Sequence, residues 1–223
     1  MKNFSFNTLA AKNIALKLIA VAALAGFAVI GYADEAADIQ TLQTRWAEIK
    51  YQTPEADQEK AFVALVAQAE QLRTANTQAP YLIWEAIIRS TYAGAKGGLG
   101  ALDQVKQAKK LLEQAIKLDP AALNGSAYTS LGSLYYQVPG WPVGFGDDKK
   151  AKEMLEKGLS YNPDGIDSNY FYGDYLLEQK NYQQALIAFE KALKAAPRPG
   201  RESADAGRKG EIESAMAKAK KHL

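Results

Sequence analysis

The stretch "ALIAFEKALKAAP" (residues 185–197) decides the fold, because "AKKLLEQAIKLDP" (108–120) and "AKEMLEKGLSYNP" (151–163) align with it without a gap. Each opens on a small residue (Ala108, Ala151, Ala185) and places a large apolar one four later (Leu112, Leu155, Phe189). A second small residue follows three after that (Ala115, Gly158, Ala192). Spacings of four and three share one helical face, and small side chains there let a neighbouring helix approach closely. The proline five residues on stops the helix. One helical unit repeated along a chain marks a stacked array, in which each unit buries its apolar face against the next.

Upstream of each stretch lies a second amphipathic segment. In "YTSLGSLYY" the residues Tyr128, Leu131, Gly132 and Tyr135 fall at i, i+3, i+4 and i+7, one stripe of a helix. Pro163 to Pro197 is 34 residues, and Gly173, Tyr182, Ala185, Phe189 and Ala192 sit between them. With these residues in place, the chain resembles the tetratricopeptide repeat family, which is built from antiparallel helix pairs. The resemblance covers residues 81–197 as three repeats and implies an all-α solenoid. Glu85 and Arg89 stand where that family would put an aromatic and a glycine, so the first helix of the first repeat is expected to be tilted or displaced.

On either side the pattern weakens. Ile39, Leu42, Trp46 and Ile49 make another stripe, "PEADQEKAFVALVAQAEQL" follows, and residues 34–80 read as an N-terminal helical hairpin or cap. After "RPG", residues 198–223 read as a polar C-terminal capping helix with one face toward water. At the other extreme, Lys12 and Lys17 precede the uncharged run Leu18 to Ala33, which then meets "DEAAD". Residues 1–33 therefore read as a signal peptide cut between Ala33 and Asp34, too short for a retained spanning helix. The chain is expected to be periplasmic or secreted, and with no cysteine it carries neither a disulfide nor a lipid-modified thiol.

Charge and chemistry exclude several functions. Three of the 27 basic residues and none of the 25 acidic ones precede Asp34, so the remainder has one net negative charge and no electrostatic case for nucleic acid. The one histidine, His222, is penultimate, which removes imidazole catalysis and histidine metal sites, and the glycine-rich "GAKGGLG" and "GFGDDK" match no phosphate-loop spacing. No cofactor, metal or catalytic residue is expected. Asp147 reads as a helix N-cap. Arg201 and Arg208, seven apart, are expected to pair with Asp174 or Asp164, or to hold a carboxylate.

Two connections are longer than the family pattern. Tyr92 to Ala108 and Tyr135 to Ala151 each span sixteen positions, and both are expected to form glycine-rich turns stacked along one edge. In the second, "VPGWPVGFGDD", two readings stand side by side: Trp141 and Phe145 fold back to plug the core, or they form a rim over a binding groove. Half of the 22 aromatic residues lie between Tyr128 and Tyr182, which concentrates sticky surface in that region. The resemblance places Ser126, Thr129, Ser133 and Tyr136 from one repeat, and Asp167, Tyr170, Asp174 and Leu177 from the next, on a concave groove. Such a hydroxyl-rich, mildly acidic surface suits an extended peptide or small polar ligand better than an anion.

The enlarged turns of an exported array look like those of periplasmic helical-repeat proteins associated with TRAP-type transporters. That resemblance implies a non-enzymatic scaffold for a protein partner, a solute-binding or transport component. The alternative is direct binding of a small molecule or peptide by the aromatic groove and the Trp141 loop.

Overall fold

A computed structural model describes residues 35–223. The expected signal peptide lies outside the described residues. The chain divides into two units, residues 1–40 and 41–223; of the first, only the helical residues 35–40 are described. Among the described residues there are nine helices and no strand: α1 (35–52), α2 (Glu55–Ala75), α3 (Ala79–Lys96), α4 (Gly98–Leu118), α5 (Ala122–Gln137), α6 (Asp148–Tyr161), α7 (Ile166–Glu178), α8 (Tyr182–Leu193) and α9 (Glu202–Lys220).

Prolines and caps set the helix bounds. Pro54 caps the start of α2 and Pro80 lies in the first turn of α3, where a missing N–H costs nothing. Helices α4, α6 and α8 stop short of Pro120, Pro163 and Pro197. Asp147 does cap α6, its carboxylate accepting the backbone N–H groups of Lys149 and Lys150 at 3.1 Å each.

Helix α3 packs most extensively on α4, α5 on α6 and α7 on α8, while α3, α5, α7 and α9 touch in sequence. This is an all-α solenoid of helix pairs with the first helix of each pair on the inner row. The nine stripe residues of the repeated segments are all buried. Their small members work as expected: a Cβ on Gly132 would lie 2.7 Å from Leu155, and one on Gly158 would lie 3.1 Å from the backbone of Thr129.

Glu85 and Arg89 do not displace α3, which packs on α4 as the later first helices pack on theirs. Instead they build a buried ionic cluster. Arg89 Nε donates to Glu85 at 2.7 Å, its Nη1 to Gln104 at 2.9 Å and its Nη2 to Glu70 at 3.1 Å, and Arg73 also donates to Glu85. Every charge there has an opposite partner, which is the condition for leaving charges in a helical interface.

The first enlarged connection is not a loop. Helix α3 runs to Lys96 and α4 begins at Gly98, so Gly97, at φ 63°, makes the reversal and the remaining residues extend the two helices. The alanines and lysine of "GAKGGLGALD" favour helix, and the glycine pair confines the break to one point. No stack of two long turns forms. The second connection, residues 138–147, is a true loop closed on itself: Gly146 N donates to Pro139 O at 3.0 Å and Asp147 N to Tyr135 O at 2.8 Å. It contains a cis Trp141–Pro142 bond.

Residues 41–223 do not end in two open caps. Tyr51 of α1 donates to Glu211 of α9 at 3.2 Å, Gln52 donates to Ser203 at 2.7 Å, and a Cβ on Gly207 would strike the Tyr51 ring. The terminal helix expected to face water on one side meets the other end of the array there.

Candidate functional site

The inner row of helices encloses a groove of about 730 Å³. Trp46 of α1 and Trp84 of α3 form one wall, edge to face at 6.2 Å, and the Trp46 indole N–H donates to Thr91 at 2.8 Å. Helix α5 supplies the hydroxyls of Ser126, Ser130 and Ser133. Before them Leu123, Asn124 and Gly125 all sit in the left-handed region, at φ 49°, 55° and 71°. Gly125 suits that geometry, and its Cβ would also strike Tyr161; Leu123 does not suit it, and a leucine held there at a groove wall is strained.

The opposite wall is ionic. Asp167 of α7 accepts from Arg198 Nη1 at 2.6 Å and from Arg208 Nε at 2.8 Å. Arg198 also donates to Asp205, at 2.7 Å from Nε, and Arg208 donates to Glu211 at 2.6 Å from Nη1. The Arg208 guanidinium lies over the rings of Tyr170 and Phe171, 4.3 and 4.8 Å from their centroids. Burial pushes the Asp167 carboxyl up, but Arg208 and Arg198 outweigh it and hold the group well below the ordinary carboxylate range. Burial lifts the Tyr170 phenol to about 12.

Arg201 differs from its neighbours. It lines the groove 5.1 Å above the Trp84 ring, yet forms no ion pair with a described carboxylate, and its Nε–H has no acceptor. Burial, and then the charge of Arg198, lower it to about 10. The Trp84 indole N–H is likewise buried without an acceptor.

Of the residues expected on the groove, Ser126, Thr129, Ser133, Asp167 and Tyr170 line it. Tyr136 and Asp174 instead bond each other at 2.7 Å, with Asp174 opening onto a second recess beside Lys50 and Tyr51. Burial, then Asp174, raise the Tyr136 phenol; burial raises Asp174 despite the bond it accepts. Leu177 packs against the core. Phe145 meets Tyr135 edge to face at 5.9 Å, the plugging arrangement, whereas Trp141 is 90% exposed and outside the groove lining.

Two expectations are corrected. Arg208 pairs with Asp167 and Glu211, while Asp164 takes Lys191 and Asp174 takes Tyr136. The groove is also not a mildly acidic face, since residues 198–208 bring three arginines into it. Sequence reasoning missed Trp46, Trp84, Arg198 and Asp205; the alternating charges of "RPGRESADAGR" were the available signal. Among the described residues no group of acidic or imidazole side chains could hold a metal ion, and no helix is long and apolar enough to cross a membrane.

Residues 144–198, which span α6 to α8, match a model of the tetratricopeptide repeat, and residues 99–121, which span α4, match a second model of it. The likeness is to the tetratricopeptide repeat. No curated protein matches the chain at a significant level. The two matches fall on the helices that carry the repeated stripe, so they and the helix pairing support the same family. Such repeats suggest a scaffold for protein interaction.

Proposed function

We propose that the chain is an exported, non-enzymatic scaffold that receives a segment of a partner protein in the groove on its inner helix row. The observation that carries this reading is the row itself: α3, α5 and α7 present hydroxyl and aromatic side chains to one cavity on a repeat-like frame. Rigid helix pairs hold such a surface without reorganisation when a partner arrives. The leader-like residues 1–33 support export, and a periplasmic solute-binding or transport component is the partner class suggested by the narrower resemblance.

The test is capture from periplasmic extract by the full chain and by Ser126→Trp, which fills the groove. A defined protein retained by the parent and lost with the variant supports the reading. Equal retention by both, or fractionation that leaves the chain uncleaved in the cytoplasm, refutes it.

A further inference from the structure

We infer that Arg201 is the receptor for the carboxylate of a small organic acid bound in the groove, with the acid's apolar body against Trp84. This goes beyond the scaffold reading and does not depend on any protein partner.

Buried donors in folded proteins are almost always paired, and each exception calls for an explanation. Here two exceptions adjoin, the Arg201 Nε–H and the Trp84 indole N–H, with the guanidinium stacked 5.1 Å from the indole centroid. The neighbourhood does not lack carboxylates. Asp167 is committed to Arg198 and Arg208, Asp205 to Arg198, and Glu211 to Arg208 and Lys50. Arg201 is the one of the three arginines without an ion pair to a described carboxylate; burial and the charge of Arg198 depress its proton affinity, and the more distant Asp167 and Asp205 only partly offset them.

The charge of the ligand follows from the whole cluster. Lys50, Arg198, Arg201 and Arg208 against Asp167, Asp205 and Glu211 leave one positive charge over, which balances a single negative charge but not the two of a dianion such as a phosphate monoester. A planar carboxylate also fits the Nη edge of the guanidinium fork in two-point contact, the Nε–H being shielded from the groove. The apolar body follows from the wall: Trp84 lies under Arg201, Ile87 lines the same groove, and the groove's volume lies within the range that small ligands occupy. The strained Leu123–Asn124 turn faces the same cavity, as backbone outliers at ligand clamps do.

The experiment is calorimetric titration of the purified exported chain with phenylacetate and hexanoate, against phenylacetamide and phenyl phosphate. Melting curves of the unliganded proteins are recorded alongside. The expected result is saturable binding of a carboxylate, at least tenfold weaker binding of the amide and the phosphate, and loss of at least tenfold in Arg201→Gln, with Trp141→Phe unchanged. Unliganded Arg201→Gln should melt at the same temperature as the parent or higher, because the substitution removes an unbalanced charge. Equal affinity for acid and amide, no binding of either acid, or full binding by Arg201→Gln would overturn the inference. A lowered melting temperature in that variant would do so too, by making Arg201 a structural cation. A final arm compares an acetylated tripeptide ending in a free carboxylate with its amide. Binding of the free-acid peptide alone would overturn the small-acid inference while leaving the scaffold reading intact.

Discussion

Replacing Asp167 with asparagine should destabilise the protein by about 2–3 kcal/mol at neutral pH. The carboxylate accepts two charge-assisted bonds, from Arg198 at 2.6 Å and Arg208 at 2.8 Å, and each such bond contributes about 1.5–3 kcal/mol. Its side chain is 32% exposed, so solvent screening places the sum toward the lower end. Arg208 keeps Glu211 and Arg198 keeps Asp205, which limits the loss further. For a domain of this size about 2–4 °C of melting temperature accompanies each kcal/mol, so the variant should melt about 4–12 °C lower. The pH dependence identifies the cause. A carboxyl held below its unfolded value of about 3.9 contributes its stability above that value and loses it as pH falls through the native one. The gap between parent and variant should therefore be full above about pH 5 and narrow steadily below about pH 4. Urea unfolding followed by tryptophan fluorescence gives both numbers. A gap under about 0.5 kcal/mol at pH 7, or one that is the same at pH 7 and pH 3, would refute the assignment of Asp167 as the tie between α7 and α9.

Glu85→Ala should cost about 3–5 kcal/mol, because it leaves the buried Arg89 with Glu70 and Gln104 alone; chemical denaturation measures it. Gly146→Ala should cost about 1–3 kcal/mol and perturb near-ultraviolet circular dichroism, since a Cβ there would collide with the Val138 carbonyl oxygen. Trp141→Ser should change stability by less than about 0.5 kcal/mol, as befits a side chain 90% exposed; a larger loss in the same assay would place Trp141 in the core.

The repeated stripe was fully legible because its nine residues obey local helical spacing, and local spacing is what a sequence displays. The groove hydroxyls of α5 were legible for the same reason. Asp167 could be placed on the groove but not partnered, since its arginines arrive from residues 31 and 41 positions away. The Glu85 cluster looked like a fault in the pattern until Arg73 and Gln104 came from neighbouring helices to complete it. The first enlarged connection misled because counting residues between landmarks does not distinguish a loop from two lengthened helices. Trp84 was hidden by its company: within an apolar run it reads as core, and only the arrival of Arg201 makes it a wall of the groove.

The bonds from Tyr51 to Glu211 and from Gln52 to Ser203 bridge 160 and 151 positions of chain. An ordinary array of repeats can grow and fray one neighbour at a time, but one whose first and last members clasp each other is a circle in its energetics. During synthesis the face of α1 around Tyr51 must wait, uncovered, until Ser203 and Glu211 have emerged. Opening the clasp at either side should then loosen both, so amide exchange in residues 41–52 and in α9 would rise together.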